Sequence, residues 1–381
     1  MVLMTSRKIA LIFFLPLVMV ASLALTPVGG ERVVVAVDLS HGESDKYLGF
    51  IMGNITFVEW RTIKEFNSAS LSGVKLLLIG QPTVAFTPDE ISALKSWFME
   101  GGKAVWIAAD SDYGPGVGYQ DTANALLEAL GSRLRLDLCS AEDPVQNAGA
   151  AYRVVANVDP DEPVRSDILV SISKPVLYHG PGVLAYVKPD GSWGGLEAEK
   201  PENVVRIVRT STNGKVVENS PPAAKAHTAG QSGSLVLNAA EFVKVGDKLG
   251  LVIASGESPY GDYEPTWSSV YYGVALDGPT FVTNMINFAL KFETYYRIME
   301  LQNSISRLNA ELTASKSRID ELSAKLKTQE DKAKSLEAKV SSLEVERTNN
   351  LYMGLGGGVV VGLVIGAAIA YFATRRKGKE T

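Results

Sequence analysis

The chain has 381 residues, enough for two average domains or for one domain with extended parts. Its 37 lysines and arginines against 42 aspartates and glutamates leave a net charge of −5, which excludes a chain built as a whole to bind nucleic acid. Cys139 is the only cysteine, so neither an intramolecular disulfide nor a cysteine-based metal site can form, and it reads as a small, inert core residue.

The N-terminus carries a targeting signal. Arg7 and Lys8 precede the apolar run IALIFFLPLVMVASLAL, and Ser22-Leu23-Ala24 offers a small-x-small cleavage site, so residues 1–25 read as a signal peptide. An uncleaved anchor is the alternative, because the run is long for a signal peptide. Either way, the region after this segment is expected outside the cell.

From residue 31 to 292, strand and helix signals alternate. RVVVAVDL is a β-branched run without alternation, the mark of a strand buried on both faces. It gives way to Asp38, Ser40, His41 and Glu43. NITFVEW and VKLLLIGQP read as the second and third strands, the latter reaching Gln81. A helix follows, with Thr87 as N-cap, Pro88 at the first helical position and Glu90 completing a capping box. Its core face is Ile91, Leu94 and Phe98, and Gly101-Gly102 stops it. KAVWIAAD is a fourth strand, ending in Asp110, Ser111 and Asp112, and DTANALLEALG reads as a second capped helix.

Residues from about 140 to 245 are less regular, with many Pro and Gly and short strands in ILVSISKPVLYHGPGVLAYV and NVVRIVRTSTNG. They read as a β-rich insertion within the same domain, with PPAAKAHTAGQSG as an exposed loop. DKLGLVIASGES is a further buried strand, ending in Ser255, Glu257 and Ser258, before the helix that runs into a stalk. Strands alternating with helices predict an α/β ectodomain with a parallel sheet covered on both faces.

From Thr280 to Met353 the chain contains neither Gly nor Pro. Apolar residues there follow a heptad. Position a holds Ile298, Ile305, Leu312, Ile319, Leu326, Ala333 and Val340, and position d holds Leu301, Leu308, Ser315, Leu322, Gln329, Leu336 and Leu343. A seam this long predicts a parallel coiled coil over residues 293–350, of two or three strands. At about 1.5 Å per residue, fifty residues would extend roughly 75 Å. Ser315 and Gln329 are either tolerated defects or devices that fix register.

Leu351 to Phe372 is apolar or glycine throughout, long enough to cross a bilayer, with Tyr352 and Tyr371 at its edges. The basic run Arg375-Arg376-Lys377-Gly378-Lys379 within residues 373–381 is expected on the cytoplasmic side. The two ends together predict a single-pass type I cell-membrane protein. Gly354, Gly358, Gly362 and Gly366, continued by Ala370, give the span one face of small residues, which favours close helix pairing. Stalk and span both point to a parallel homodimer or homotrimer.

Several short motifs occur in a characteristic order: D-x-S-H-G-E after the first strand, LLLIGQP, TPDEI opening a helix that ends in GG, and AADS. LVIASGES then precedes GPTFVTNMINFAL, with Asn284 and Asn287. Over roughly residues 31–292 this order resembles the class I glutamine-amidotransferase-like superfamily. The branch it most resembles is non-catalytic and includes gliding-motility ABC-transporter auxiliary proteins and intraflagellar-transport relatives. The membrane-anchored, non-catalytic component of oligosaccharyltransferase has a similar type I layout. The resemblance implies a flavodoxin-like parallel sheet. Enzymes of the superfamily place a cysteine on a tight strand-to-helix turn with a downstream histidine. Here no cysteine occupies a G-x-C-x-G context, and the only histidines are His41, His179 and His227. Glutaminase activity is therefore not expected, and no catalytic residue, metal or cofactor is assigned.

Asp38, Ser40 and His41 do not read as a hydrolase triad. On a continuing strand, Asp38 and Ser40 point to one face and His41 to the other, and a triad is usually assembled from separate parts of a fold. A turn after Leu39 would join Ser40 to His41, though nothing in the sequence demands one. A binding crevice is the better reading, since ligands of open parallel sheets sit beyond the carboxyl ends of strands. Its candidates are Asp38, Ser40, His41, Glu43, Gln81, Asp110, Asp112, Glu257 and Ser258. HGES at 41–44 and SGES at 255–258 repeat one tripeptide after two strands. If those strands are near neighbours, their carboxylates converge on a crevice suited to a sugar, an amine or a divalent cation. Asp, Ser and Gly also end strands without binding anything.

Two functions are consistent with these features. The first is a non-enzymatic surface scaffold whose stalk projects a head outward to tether a surface layer or assembly. The alternative is a ligand- or glycan-binding accessory subunit of an ABC transporter or glycosylation complex. A surface hydrolase is the weakest reading.

Overall fold

The computed structural model describes residues 32–261 and 263–377, so residues 1–25, read above as a signal peptide, and the end of the basic tail lie outside the described residues. The chain divides into two compact units, Met1–Ile298 and Met299–Thr381. In chain order the elements are β1 (Val34–Asp38), α1 (Leu48–Asn54), β2 (Glu59–Ile63), β3 (Val74–Ile79), α2 (Pro88–Phe98), β4 (Ala104–Ala108) and α3 (Gly116–Ala129). Then come β5 (Leu134–Glu142), β6 (Arg153–Val158), α4 (Arg165–Ile168), β7 (Val176–His179), β8 (Gly182–Val187), β9 (Trp193–Gly195), β10 (Val204–Arg209) and β11 (Lys215–Val217). The last are β12 (Val236–Val245), β13 (Lys248–Ser255), a small hairpin of β14 (Val270–Tyr271) and β15 (Val274–Ala275), α5 (Gly278–Leu290) and α6 (Phe292–Lys377).

Nine strands form the main sheet in the order β2-β1-β3-β4-β13-β12-β10-β6-β7. From β2 to β13 every pairing is parallel, as expected. From β13 to β7 every pairing is antiparallel, so the sheet is mixed. The switch occurs where Gly246 and Asp247 join β12 to β13 by a two-residue turn, with Gly246 at φ +62, and so short a link can join only antiparallel strands. The β-rich insertion thus supplies β6, β7, β10 and β12 of the main sheet, plus β8, β9 and β11 of a second sheet of order β11-β5-β8-β9.

The core explains the apolar runs. Val35 to Val37, Leu76 to Ile79 and all of β4 are essentially inaccessible because both sheet faces are covered. Leu94, Trp97 and Phe98 of α2 and Leu126 and Leu127 of α3 join this core, and α5 buries Phe281, Met285 and Phe288. The α2 capping box forms as expected: Thr87 N donates to Glu90 Oε2 at 2.8 Å, and Glu90 N donates to Thr87 Oγ1 at 3.3 Å.

Three expectations need correction. NITFVEW is not a strand: its first residue ends α1, whose Leu48 and Ile51 face inward at helical spacing, and β2 starts only at Glu59. The second capped helix begins at Gly116 after Pro115, so Asp121 lies within α3 and caps nothing. The last helix is interrupted at Lys291 between α5 and α6, with no Gly or Pro to mark the break.

α6 is one helix of 86 residues and contains a segment long and apolar enough to cross a membrane, of mean hydropathy 2.1. Its heptad residues are exposed: Leu301, Ile305, Leu308, Leu312, Ile319, Leu322, Leu326, Leu336, Val340 and Leu343 each keep more than half of their surface, and Ile298 keeps 38%. Among the described residues, nothing beyond the helix's own backbone lies within 4 Å of where a Cβ would stand on Gly354, Gly358, Gly362 or Gly366.

Candidate functional site

β1 ends at Asp38, and the chain then bends. Ser40 donates its N–H (3.0 Å) and its hydroxyl (2.6 Å) to Asp38 Oδ1, a local turn of the kind Asp readily forms. The bend brings His41 Nδ1 to 2.7 Å from Asp38 Oδ2. The strand does not continue past Asp38, so the turn after Leu39 is the arrangement found, and His41 faces Asp38 and Ser40. The imidazole stacks on Phe86 with 3.4 Å between ring centres and meets Phe66 edge-on. Its Nε2 lies 3.4 Å from Glu90 Oε2, so the capping residue of α2 also faces this site. Glu43 Oε2 accepts from His41 N at 2.9 Å, while Glu43 Oε1 is buried with no hydrogen-bond donor among the described residues.

These side chains meet without forming a triad. Ser40 Oγ (3.1 Å) and Asp38 Oδ2 address the same imidazole nitrogen, and the serine hydroxyl is committed to Asp38. A triad needs nucleophile and orienting carboxylate on opposite nitrogens. Burial opposes charge on His41, but Asp38 and then Glu90 outweigh it and hold its pKa above the usual histidine range. Glu43 is pushed up to about 9, first by burial and then by the nearby Asp38 charge.

The place where an open α/β sheet receives a ligand is filled by the chain itself. After β13 the backbone crosses back, and the Tyr260 hydroxyl donates to Asp38 O at 3.0 Å and accepts from Gly80 N at 2.8 Å. Tyr260 is wholly buried, plugging the switch point between β1 and β3. A Cβ on Gly80 would stand 2.8 Å from the Tyr260 oxygen, which is why a glycine sits there.

Ser258 also reaches this point, its Oγ 3.1 Å from where a Cβ on Gly80 would stand, while the remaining candidates are held by other partners. β3 and β4 separate β1 from β13, so the two Gly-Glu-Ser turns are not on neighbouring strands. Glu257 is buried and accepts from Ser258 N and His179 N, each at 2.8 Å. Ser258 Oγ accepts from Gly261 N at 3.1 Å. Gln81 bonds Asp110, and Asp112 bonds the Ser140 hydroxyl, Asn219 and Ser220 N. These are separate polar knots that tie loops to strand ends.

The structure also holds a cluster that sequence reasoning missed. PPAAKAHTAGQSG carries a buried residue, His227, whose Nδ1 lies 2.7 Å from Asp137 Oδ2 and whose Nε2 lies 3.1 Å from Glu197 Oε2. Lys225 N, Ala226 N and His227 N also donate to Asp137, so this loop is fastened to β5. Cys139 is buried nearby, and burial drives its thiol pKa far up, as fits an inert core residue. Burial alone would lower the His227 pKa, but the two carboxylates raise it to about 9. That value exceeds the ~6.5 of an unfolded histidine, so the cluster stabilises the fold fully below pH ~6.5 and the contribution fades as pH rises through 9. In denaturant titrations from about pH 6 to 10, the stability difference between the native chain and His227→Gln is expected to shrink by on the order of 3 kcal/mol. A difference independent of pH would refute the charged cluster.

No family model matches the sequence, and no curated protein matches it. Among solved structures, the chain is similar to the mmIFT52 N-terminal domain at 14% identity and TM-score 0.44, over 68% of this chain and 97% of that one. It is also similar to a protein from Thermoplasma acidophilum titled as one component of a GMP synthase, at 9% identity and TM-score 0.32, over 70% of this chain and 99% of that one.

Proposed function

We propose that the protein is a non-enzymatic, membrane-anchored cell-surface scaffold that assembles through a parallel, two-stranded coiled coil in α6. The observation that carries this reading is the exposed heptad seam on the same helix as the membrane-crossing segment. Water-exposed leucines repeated at this spacing are stabilised by burial against a second copy. Four flanking charge pairs favour the parallel, in-register arrangement. Glu311, Lys325, Lys332 and Lys339 at g face Lys316, Glu330, Glu337 and Glu344 at e of the second copy, each pair opposite in sign. Isoleucine or valine at four a positions with leucine at most d positions favours two strands.

The first unit is read as a non-catalytic amidotransferase-like head. The absent cysteine elbow, the Tyr260 plug and the non-triad geometry at His41 support this. Its role is to tether a surface layer or a larger assembly. One observation favours the second reading, a glycan-binding accessory subunit of a transporter or glycosylation complex. Tyr263 and Tyr272 are two-thirds exposed, with His179 stacked on the first and Arg153 on the second, and such ring faces suit sugar stacking.

Disulfide trapping tests the assembly. In a parallel coiled coil, d positions meet their own counterparts, so full-length Leu322→Cys is expected to form covalent dimers on mild oxidation. Ser341→Cys, on the outer face, is expected to stay monomeric. Equal trapping at both positions would sink the parallel seam.

A further inference from the structure

We propose that Asp38, His41 and Glu43, at the end of β1, form a binding site for one divalent transition-metal ion. One potential ligand atom from each residue lies within 4.8 Å of the others, and all three residues are buried. Around a zinc-sized ion, with bonds of about 2.0–2.2 Å, ligand atoms stand roughly 3.3 Å apart, so small side-chain rotations close the sphere.

The independent sign of a ligand is Glu43 Oε1. This oxygen is buried and receives no N–H or hydroxyl donor from the described residues, on a side chain that keeps only 9% of its surface and faces the Asp38 carboxyl. Two buried carboxyl groups that face each other must share a proton or a cation, and with His41 beside them a cation can take the proton's place.

The surroundings already orient the ligands. Ser40 N and Oγ hold Asp38 Oδ1, and His41 N holds Glu43 Oε2. His41 turns Nδ1 toward the cluster and Nε2 toward Glu90, the pattern in which a carboxylate takes the second N–H of a metal-bound imidazole. Stacking on Phe86 locks the ring plane. A donor set of one imidazole and two carboxylates selects zinc, cobalt, manganese or iron over magnesium and calcium. Gly42 and Ser44, both exposed, flank Glu43 and offer a way in.

The Asp137–Cys139–His227 group does not share these features. Both oxygens of Asp137 are taken up by the backbone N–H groups of Lys225, Ala226 and His227, so no buried carboxylate oxygen is left over there.

The test uses the full-length, untagged chain in detergent micelles, stripped with a chelator and titrated with Co2+ and then Zn2+. One equivalent of Co2+ per chain is expected, giving a visible absorption band that Zn2+ removes, and Zn2+ raises the thermal midpoint. Asp38→Asn and Glu43→Gln are expected to weaken binding at least tenfold, with far-UV circular dichroism confirming that each folds. Glu90→Gln touches no ligand atom and is expected to weaken binding by about 10–100-fold while retaining one equivalent. The proposal is overturned if the native chain gives no Co2+ band, or if folded Glu43→Gln binds metal as well as the native chain does. Should Glu43→Gln not fold, Glu90→Gln decides: unchanged affinity there also overturns it.

Discussion

Leu322→Asp is expected to dissociate the assembly. Leu322 sits at a d position in the middle of the seam, with more than half of its surface exposed on the single chain. Burying a leucine is worth about 1.5–3 kcal/mol, and a dimer loses two of them. The summed loss of about 3–6 kcal/mol corresponds to a roughly 10²–10⁴-fold weaker association. Two facing carboxylates would add to that loss. Analytical ultracentrifugation of the full chain in micelles measures it, with the β-sheet circular dichroism signal as a control that the first unit is intact. Association unchanged by the aspartate would mean that the α6 seam is not the contact.

Tyr260→Ala is expected to be the most destabilising single change in the first unit. It removes a wholly buried ring that bonds Gly80 N and Asp38 O at once. Truncating a large buried aromatic typically costs about 3–5 kcal/mol, and the stranded Gly80 N–H adds about 1–3 kcal/mol. Tyr260→Phe keeps the ring and loses only the hydroxyl, so about 1–3 kcal/mol is expected. Denaturant unfolding followed by circular dichroism separates the two. If Tyr260→Ala unfolds within about 1 kcal/mol of the native chain, Tyr260 does not hold β1 to β3.

These two residues show what was legible in the sequence. The α6 seam is a local pattern, readable because its period repeats every seven residues without Gly or Pro. β1, β3, β4 and β13 were readable for the same reason, as apolar runs, and α2 from Thr87, Pro88 and Glu90 within one turn. Tyr260 was not readable, because its partner Asp38 lies 222 residues away and no periodicity links them. His227 was hidden in a Pro-, Ala- and Gly-rich loop whose composition argues for exposure, and only the fold brings Asp137 and Glu197 to it. The bend after Asp38 depends on one hydroxyl and one N–H of Ser40, too small a signal against the strand propensity before it. The antiparallel half had a local sign in Gly246-Asp247, overshadowed by the strand and helix alternation on either side.

The most direct test of the scaffold reading is the protein mass of the native full-length chain in detergent micelles, measured by multi-angle light scattering with the detergent contribution subtracted. Two chains per particle are expected; one chain per particle across the accessible concentrations would contradict it.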